Sequence, residues 1–115
     1  MTVTIYHNPR CSKSRATLAL VEARGLKPKI VDYLKTPPSA AELKAILGKL
    51  GLKPRDILRT SETVYAELGL KDRELGDDAL IAVMVKNPIL IERPIVVAGN
   101  KAAVGRPPEN VLAIL

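Results

Sequence analysis

Cysteine occurs once in the 115 residues, at Cys11, and histidine once, at His7. A single cysteine excludes an internal disulfide, and one His with one Cys cannot fill a zinc site, which needs about four ligands led by N and S donors. Trp and Phe are absent and only three Tyr are present, so the aromatic platforms on which single-strand nucleic-acid binders stack bases are missing. No apolar run approaches the roughly 18 residues of a membrane span. The opening Met1-Thr2-Val3-Thr4-Ile5-Tyr6 lacks the basic segment and apolar stretch of a signal peptide. Nor is there a G-x-x-x-x-G-K-S/T phosphate loop. These absences predict a protein of the reducing cytoplasm with no metal, no nucleic acid and no membrane partner.

What is present is a globular composition, 47% hydrophobic and 26% charged, in a chain of single-domain length. The net charge is +6 with the basic residues scattered, which suits a solvated basic surface or a small inorganic anion better than a polymer. Val3–Tyr6 reads as a short strand ending at Asn8-Pro9, Ser12–Arg24 as an amphipathic helix closed by Gly25, and Lys29–Leu34 as a second strand. Residues 39–87 read as a helical insertion. Ser39-Ala-Ala-Glu42 forms a capping box for a helix to Leu50, Pro54 starts a short helix, Ser61 caps another, and Asp77-Asp78 opens the last. Ile95–Val97 and Ala102–Val104 then flank Gly99-Asn100 as a hairpin, and Glu109–Leu115 forms a final helix. The expected fold is α/β, one thioredoxin-like domain over 1–115: a small mixed four-stranded sheet with a helical insertion at about 39–87.

The stretch "HNPRCSKSR" (7–15) concentrates the chemistry. Cys11 falls between a strand end and a helix start, where unpaired backbone N–H groups and the macrodipole favour an anion. A lone cysteine is often an inert core residue. This one lies at a polar junction, with Arg10, Lys13, Arg15 and His7 close in sequence to favour its thiolate, and with the Ser14 hydroxyl available as a donor. The spacing Cys11 to Arg15 is C-x-x-x-R, not the C-x-x-x-x-x-R loop of cysteine phosphatases.

The segment "IYHNPRCSKSRATLALVEARG" resembles the H-N-P-x-C-x-x-S-R signature of the ArsC family of arsenate reductases. The resemblance continues through "YLKTPPSAAELKAIL", "ILRTSETVYAELGL", "NPILIERPIVV" and "GRPPENVLAIL", and is closest to the short YfgD-like members. It implies a thioredoxin-like fold, Cys11 as nucleophile, Arg59, Arg93 and Arg106 around an oxyanion, and a cis peptide before Pro94. His7, Ser14 and Arg15 would support the thiolate. The implied reaction is reduction of arsenate through a Cys11 adduct, with no bound cofactor, glutathione as co-substrate and glutaredoxin as partner. From the residues alone the arginines have plainer readings: Arg59 at a helix end suiting the dipole, Arg93 and Arg106 solvated in loops before prolines. The chain departs from the family's usual C-G-T-S-R, N-R-P-I and C-R-P with Ser12-Lys13, Glu92 and Gly105. Two other functions fit the fold. One is a generic glutathione-linked thiol–disulfide oxidoreductase, which needs no arginine cage. The other is a redox-responsive RNA polymerase-binding regulator, which usually carries C-x-x-C where this chain has Ser14.

Overall fold

The computed structural model describes residues 2–115 and divides the chain into two compact units, 2–36 with 93–115, and 37–92. In the first, strands β1 (Val3–His7), β2 (Lys29–Asp32), β3 (Ile95–Ala98) and β4 (Lys101–Val104) form one sheet in the order β2-β1-β3-β4. β1 runs parallel to β2 and antiparallel to β3, and β3 and β4 form an antiparallel hairpin. Helix α1 (Ser12–Ala23) makes the crossover that a parallel β1–β2 pair requires. Gly25, at φ 75°, lets the chain leave this helix through the left-handed region.

Alternation along β1 buries Val3, Ile5 and His7 on one side. The two aliphatics join Val21 of α1, Val96 and Ala98 of β3, and Val111 in a dry cluster, with Leu18, Leu26 and Ile114 packed against it. Val111 lies in a 3₁₀ helix (Pro108–Ile114), so the final helical segment is tighter than an α-helix. α1 also buries Ser14 and Thr17. A polar stripe therefore continues the apolar face toward the helix start, at the same 3–4 residue spacing.

The second unit is helical. Ser39 caps α2 (Ala40–Leu50): its hydroxyl accepts from the Glu42 N–H at 3.1 Å, and the Glu42 carboxylate accepts from the Ser39 N–H at 3.2 Å. This closes the expected capping box, an arrangement worth about 1 kcal/mol. α2 buries Leu43, Ile46 and Leu47 and packs on α4 (Asp77–Lys86), which buries Leu80, Ile81 and Met84. α3 (Thr63–Glu67) is short, and its N-cap is Glu62 rather than the expected Ser61. The unit runs from Pro37 to Glu92, a little wider at both ends than the helical stretch read from sequence.

The first helix after Gly51 is a 3₁₀ turn (Pro54–Ile57) that stops because Leu58 turns extended and pairs with Ile91 in an isolated antiparallel bridge. Arg59 therefore follows a bridge and does not end a helix: its N–H donates to the Leu90 carbonyl at 2.8 Å. A helix-dipole role for Arg59 is corrected by this pairing, which local sequence does not reveal. Among the described residues no helix is long and apolar enough to cross a membrane.

Candidate active site

Cys11 is the N-cap of α1, with extended backbone (φ −93°, ψ 123°) and its carbonyl accepting the first helical bond, from the Arg15 N–H at 3.0 Å. Its own N–H donates to the Asn8 carbonyl at 3.0 Å, which folds the Asn8–Cys11 segment into a tight turn. The side chain closes no cap hydrogen bond, and no acidic residue occupies the first turn. The sulfur thus meets the positive end of a twelve-residue helix without a competing carboxylate.

Two arginines from the other end of the unit reach this sulfur. Arg106 Nη2 lies 3.4 Å from Cys11 Sγ while its Nε donates to the Arg93 carbonyl at 2.8 Å. The Arg93 side chain also hydrogen-bonds to the sulfur. Partial burial pushes the Cys11 thiol up. The Ser14 amide, the Arg93 side chain, the Lys13 amide and the Arg106 charge together outweigh burial and hold its pKa below the ordinary cysteine value. Charge-assisted donors, not generic basicity, produce the result.

The segment carrying Arg106 is fixed closely. The Gly105 N–H donates to the Pro94 carbonyl at 2.9 Å. A methyl group on Gly105 would lie 2.5 Å from Thr17 Oγ1 and 2.8 Å from Pro94 Cγ. Thr17 Oγ1 donates to the Lys13 carbonyl at 2.8 Å and contacts the Gly105 carbonyl at 3.5 Å. Only a residue without a side chain fits between α1 and the Arg93-Pro94 turn. Both Arg93-Pro94 and Arg106-Pro107 are cis; the second was not anticipated from sequence.

Among the residues expected to support the thiolate, His7 and Ser14 form a buried pair, with Nδ1 2.6 Å from Ser14 Oγ. The same hydroxyl oxygen accepts from the Asn8 N–H at 3.0 Å. Ser14 therefore acts on the sulfur through its amide, while its hydroxyl is committed to the loop. Burial lowers the His7 pKa most; Asp32, its register partner across β1–β2, raises it, and Arg15 lowers it further. His7 is accordingly neutral and gives the thiolate no positive charge. Arg15 also departs from expectation, since its guanidinium donates to the Pro9 carbonyl at 2.9 Å and so braces the loop. As the fourth residue of α1 its side chain leans back toward the helix start, and its guanidinium is taken up there by the Pro9 carbonyl.

Arg59, in the helical unit, is engaged by two carboxylates, Glu92 at 2.5 Å and Glu62 at 3.5 Å. The Glu92 carboxylate is thus directed to Arg59, although Arg93 is its neighbour in sequence. Asp32, Asn8, Thr17 and Gly105 are the residues that sequence reading missed. The 14, 17, 21 spacing on α1 was the available signal for Thr17; Asp32 had no local signal, because only the register of β1 with β2 brings it to His7. No group of three or more His, Cys, Asp or Glu among the described residues is placed to hold a metal.

A βαβ unit joined to a β-hairpin, with a thiolate-stabilising helix start at the end of the first strand, defines a thioredoxin-like protein with a single cysteine at that helix start. The ArsC family profile matches residues 6–114, and the chain belongs to that family. An arsenate reductase of Neisseria meningitidis serogroup A is 53% identical over 114 residues, covering 98% of this chain and 97% of that protein. The Escherichia coli K12 protein YfgD is 54% identical over 114 residues, covering 98% and 96%. The solved structure of an arsenate reductase from Vibrio cholerae superposes with a TM-score of 0.96 at 55% identity, covering 100% of this chain and 98% of that one.

Proposed function

We propose that this chain is an arsenate reductase that draws its electrons from glutathione and glutaredoxin in a reducing compartment. The observation that supports the reading best is the lowered Cys11 pKa with Arg106 Nη2 3.4 Å from the sulfur. The same donors that favour a thiolate suit a tetrahedral oxyanion, which an arginine fork binds bidentately. The Cys11 thiolate attacks arsenic, an As–S bond forms, and an arsenate oxygen leaves as water after protonation. Arg93 and Arg106 stabilise the charge that builds on the remaining oxygens.

Reduction then needs a second thiol. Two electrons must reach As(V), and Cys11 has no partner cysteine in the chain. A glutathione thiolate attacks the Cys11 sulfur, and the As–S bonding pair departs with arsenic as arsenite. This leaves a Cys11–glutathione disulfide, which a glutaredoxin thiol resolves by attack on the glutathione sulfur. His7 and Ser14 hold the loop and transfer no electrons.

The test is arsenate-dependent NADPH consumption with glutathione, glutaredoxin and glutathione reductase supplied. Turnover is expected only with the complete system, and Cys11→Ser abolishes it. A generic thiol–disulfide oxidoreductase would make no demand on the arginines. Arg93→Ala and Arg106→Ala retaining wild-type kinetics with arsenate would therefore move the assignment to that class.

A further inference from the structure

Beside the Cys11 turn, Asn8, Pro9, Arg10, Asp32, Leu34 and Lys35 line an open cleft of about 290 Å³. This is near the lower end of the roughly 300–1,000 Å³ typical of small-molecule sites. The reactive centre described above leaves its two cations unused. Arg10 and Lys35 are exposed, and no ion pair among the described residues engages either one. Asp32 Oδ1 is buried without a hydrogen-bond partner. Leu34 remains 36% exposed on the rim, an apolar surface with Pro9, which is also exposed. Three lining residues, Asn8, Pro9 and Arg10, belong to the turn that ends at Cys11, whose N–H donates to the Asn8 carbonyl.

The electron count requires an external thiol to reach Cys11, and the cleft narrows which thiol that is. Glutathione carries two carboxylates and one ammonium flanking a central thiol, a net charge of −1 at neutral pH. Two cations, one carboxylate and an apolar rim are the complement of that pattern. We propose that this cleft is the glutathione subsite: Arg10 and Lys35 take the two carboxylates, Asp32 takes the ammonium, and Pro9 and Leu34 bed the methylenes. The assignment rests on glutathione being the electron source in the proposed reaction. Arsenate itself has no part in it, so the two can fail separately.

The test uses thiol–disulfide exchange without arsenate. Cys11 thiolate attacks glutathione disulfide, forming the Cys11–glutathione disulfide and releasing one glutathione thiolate, so the electrons balance within the exchange. The rate is followed by intact mass spectrometry and compared with bis(2-hydroxyethyl) disulfide, which carries no charge. Combined Arg10→Glu and Lys35→Glu substitution slows capture of glutathione disulfide by about tenfold, the worth of two partly screened ion pairs, and leaves the uncharged disulfide within about twofold. Lys101→Glu, on the edge strand at the opposite side of the sheet, leaves both rates within about twofold. Equal slowing with both disulfides would mean that only the thiolate had changed. Equal slowing by Lys101→Glu would mean that bulk charge steers the encounter. Either result, or no slowing at all, overturns the subsite. Absence of arsenate turnover alongside selective glutathione capture would overturn the oxyanion reading alone.

Discussion

Replacing Arg106 with Ala removes the guanidinium 3.4 Å from Cys11 Sγ and leaves the Lys13 and Ser14 amides and the Arg93 side chain in place. A hydrogen bond to a charged group is worth about 1.5–3 kcal/mol. Water reaching the partly exposed sulfur recovers some of it, which leaves about a tenfold loss in the thiol's ionisation constant. The sign follows from the charge: losing a cation raises the pKa, so at any pH below both midpoints the thiolate population falls about tenfold. Iodoacetamide is uncharged, so its alkylation rate against pH reports ionisation without electrostatic steering. The variant's profile should shift to higher pH with nearly the same plateau, and Arg106→Lys should shift it less, because a point charge lacks the fork. Arg15→Ala is the control: its guanidinium is held by the Pro9 carbonyl, so its profile should stay with the wild type. An unmoved profile for Arg106→Ala, or an Arg15→Ala shift of the same size, would refute the account.

The His7 pKa is lowered mainly by burial, so His7 contributes stability that is complete above the ordinary histidine value of about 6.5 and is lost as pH falls from there through the lowered folded value. Thermal unfolding between about pH 7.5 and 5.5 should therefore show a steeper fall in Tm for the wild type than for His7→Gln, and parallel slopes would contradict this. Gly105→Ala forces a methyl group to 2.5 Å from Thr17 Oγ1 and should cost about 1–3 kcal/mol in urea unfolding, part of it recovered by Thr17→Ala; a neutral substitution would show that the gap opens freely. Ser39→Ala removes one half of the capping box and should cost about 1 kcal/mol, whereas an unchanged urea midpoint would mean that α2 draws nothing from its cap.

Features governed by neighbouring residues were legible in the sequence. Ser39 and Glu42 mark one helix start by mutual hydrogen bonding, and Gly51 and Gly25 end helices in left-handed turns that other residues resist. The position of Cys11 at the strand–helix junction was legible for the same reason, since Asn8-Pro9 ends the strand and the next apolar periodicity begins at once. Features governed by pairing across the chain were not. The 3₁₀ turn before Arg59 ends because Leu58 finds Ile91, and Asp32 meets His7 only through the register of two parallel strands.

The thiolate's surroundings bring out the distinction most sharply. Counting basic residues near Cys11 in sequence gives Arg10, Lys13, Arg15 and His7, yet none of their side chains is what lowers its pKa. Arg15 bends away to Pro9, His7 is neutral, and Lys13 contributes its backbone amide. The cations at the sulfur, Arg93 and Arg106, stand 82 and 95 positions later, and the carbonyl of one holds the side chain of the other. Side chains of the first turn lean back toward the helix start, but here the local carbonyls take them up, as Pro9 does Arg15, whereas Arg106 is held at the sulfur by the Arg93 carbonyl. The charge at this helix-start sulfur therefore comes from elements distant in sequence. Gly105, which lets β4's exit pack against Thr17 and Pro94, fixes the sulfur's surroundings as much as the arginine that follows it.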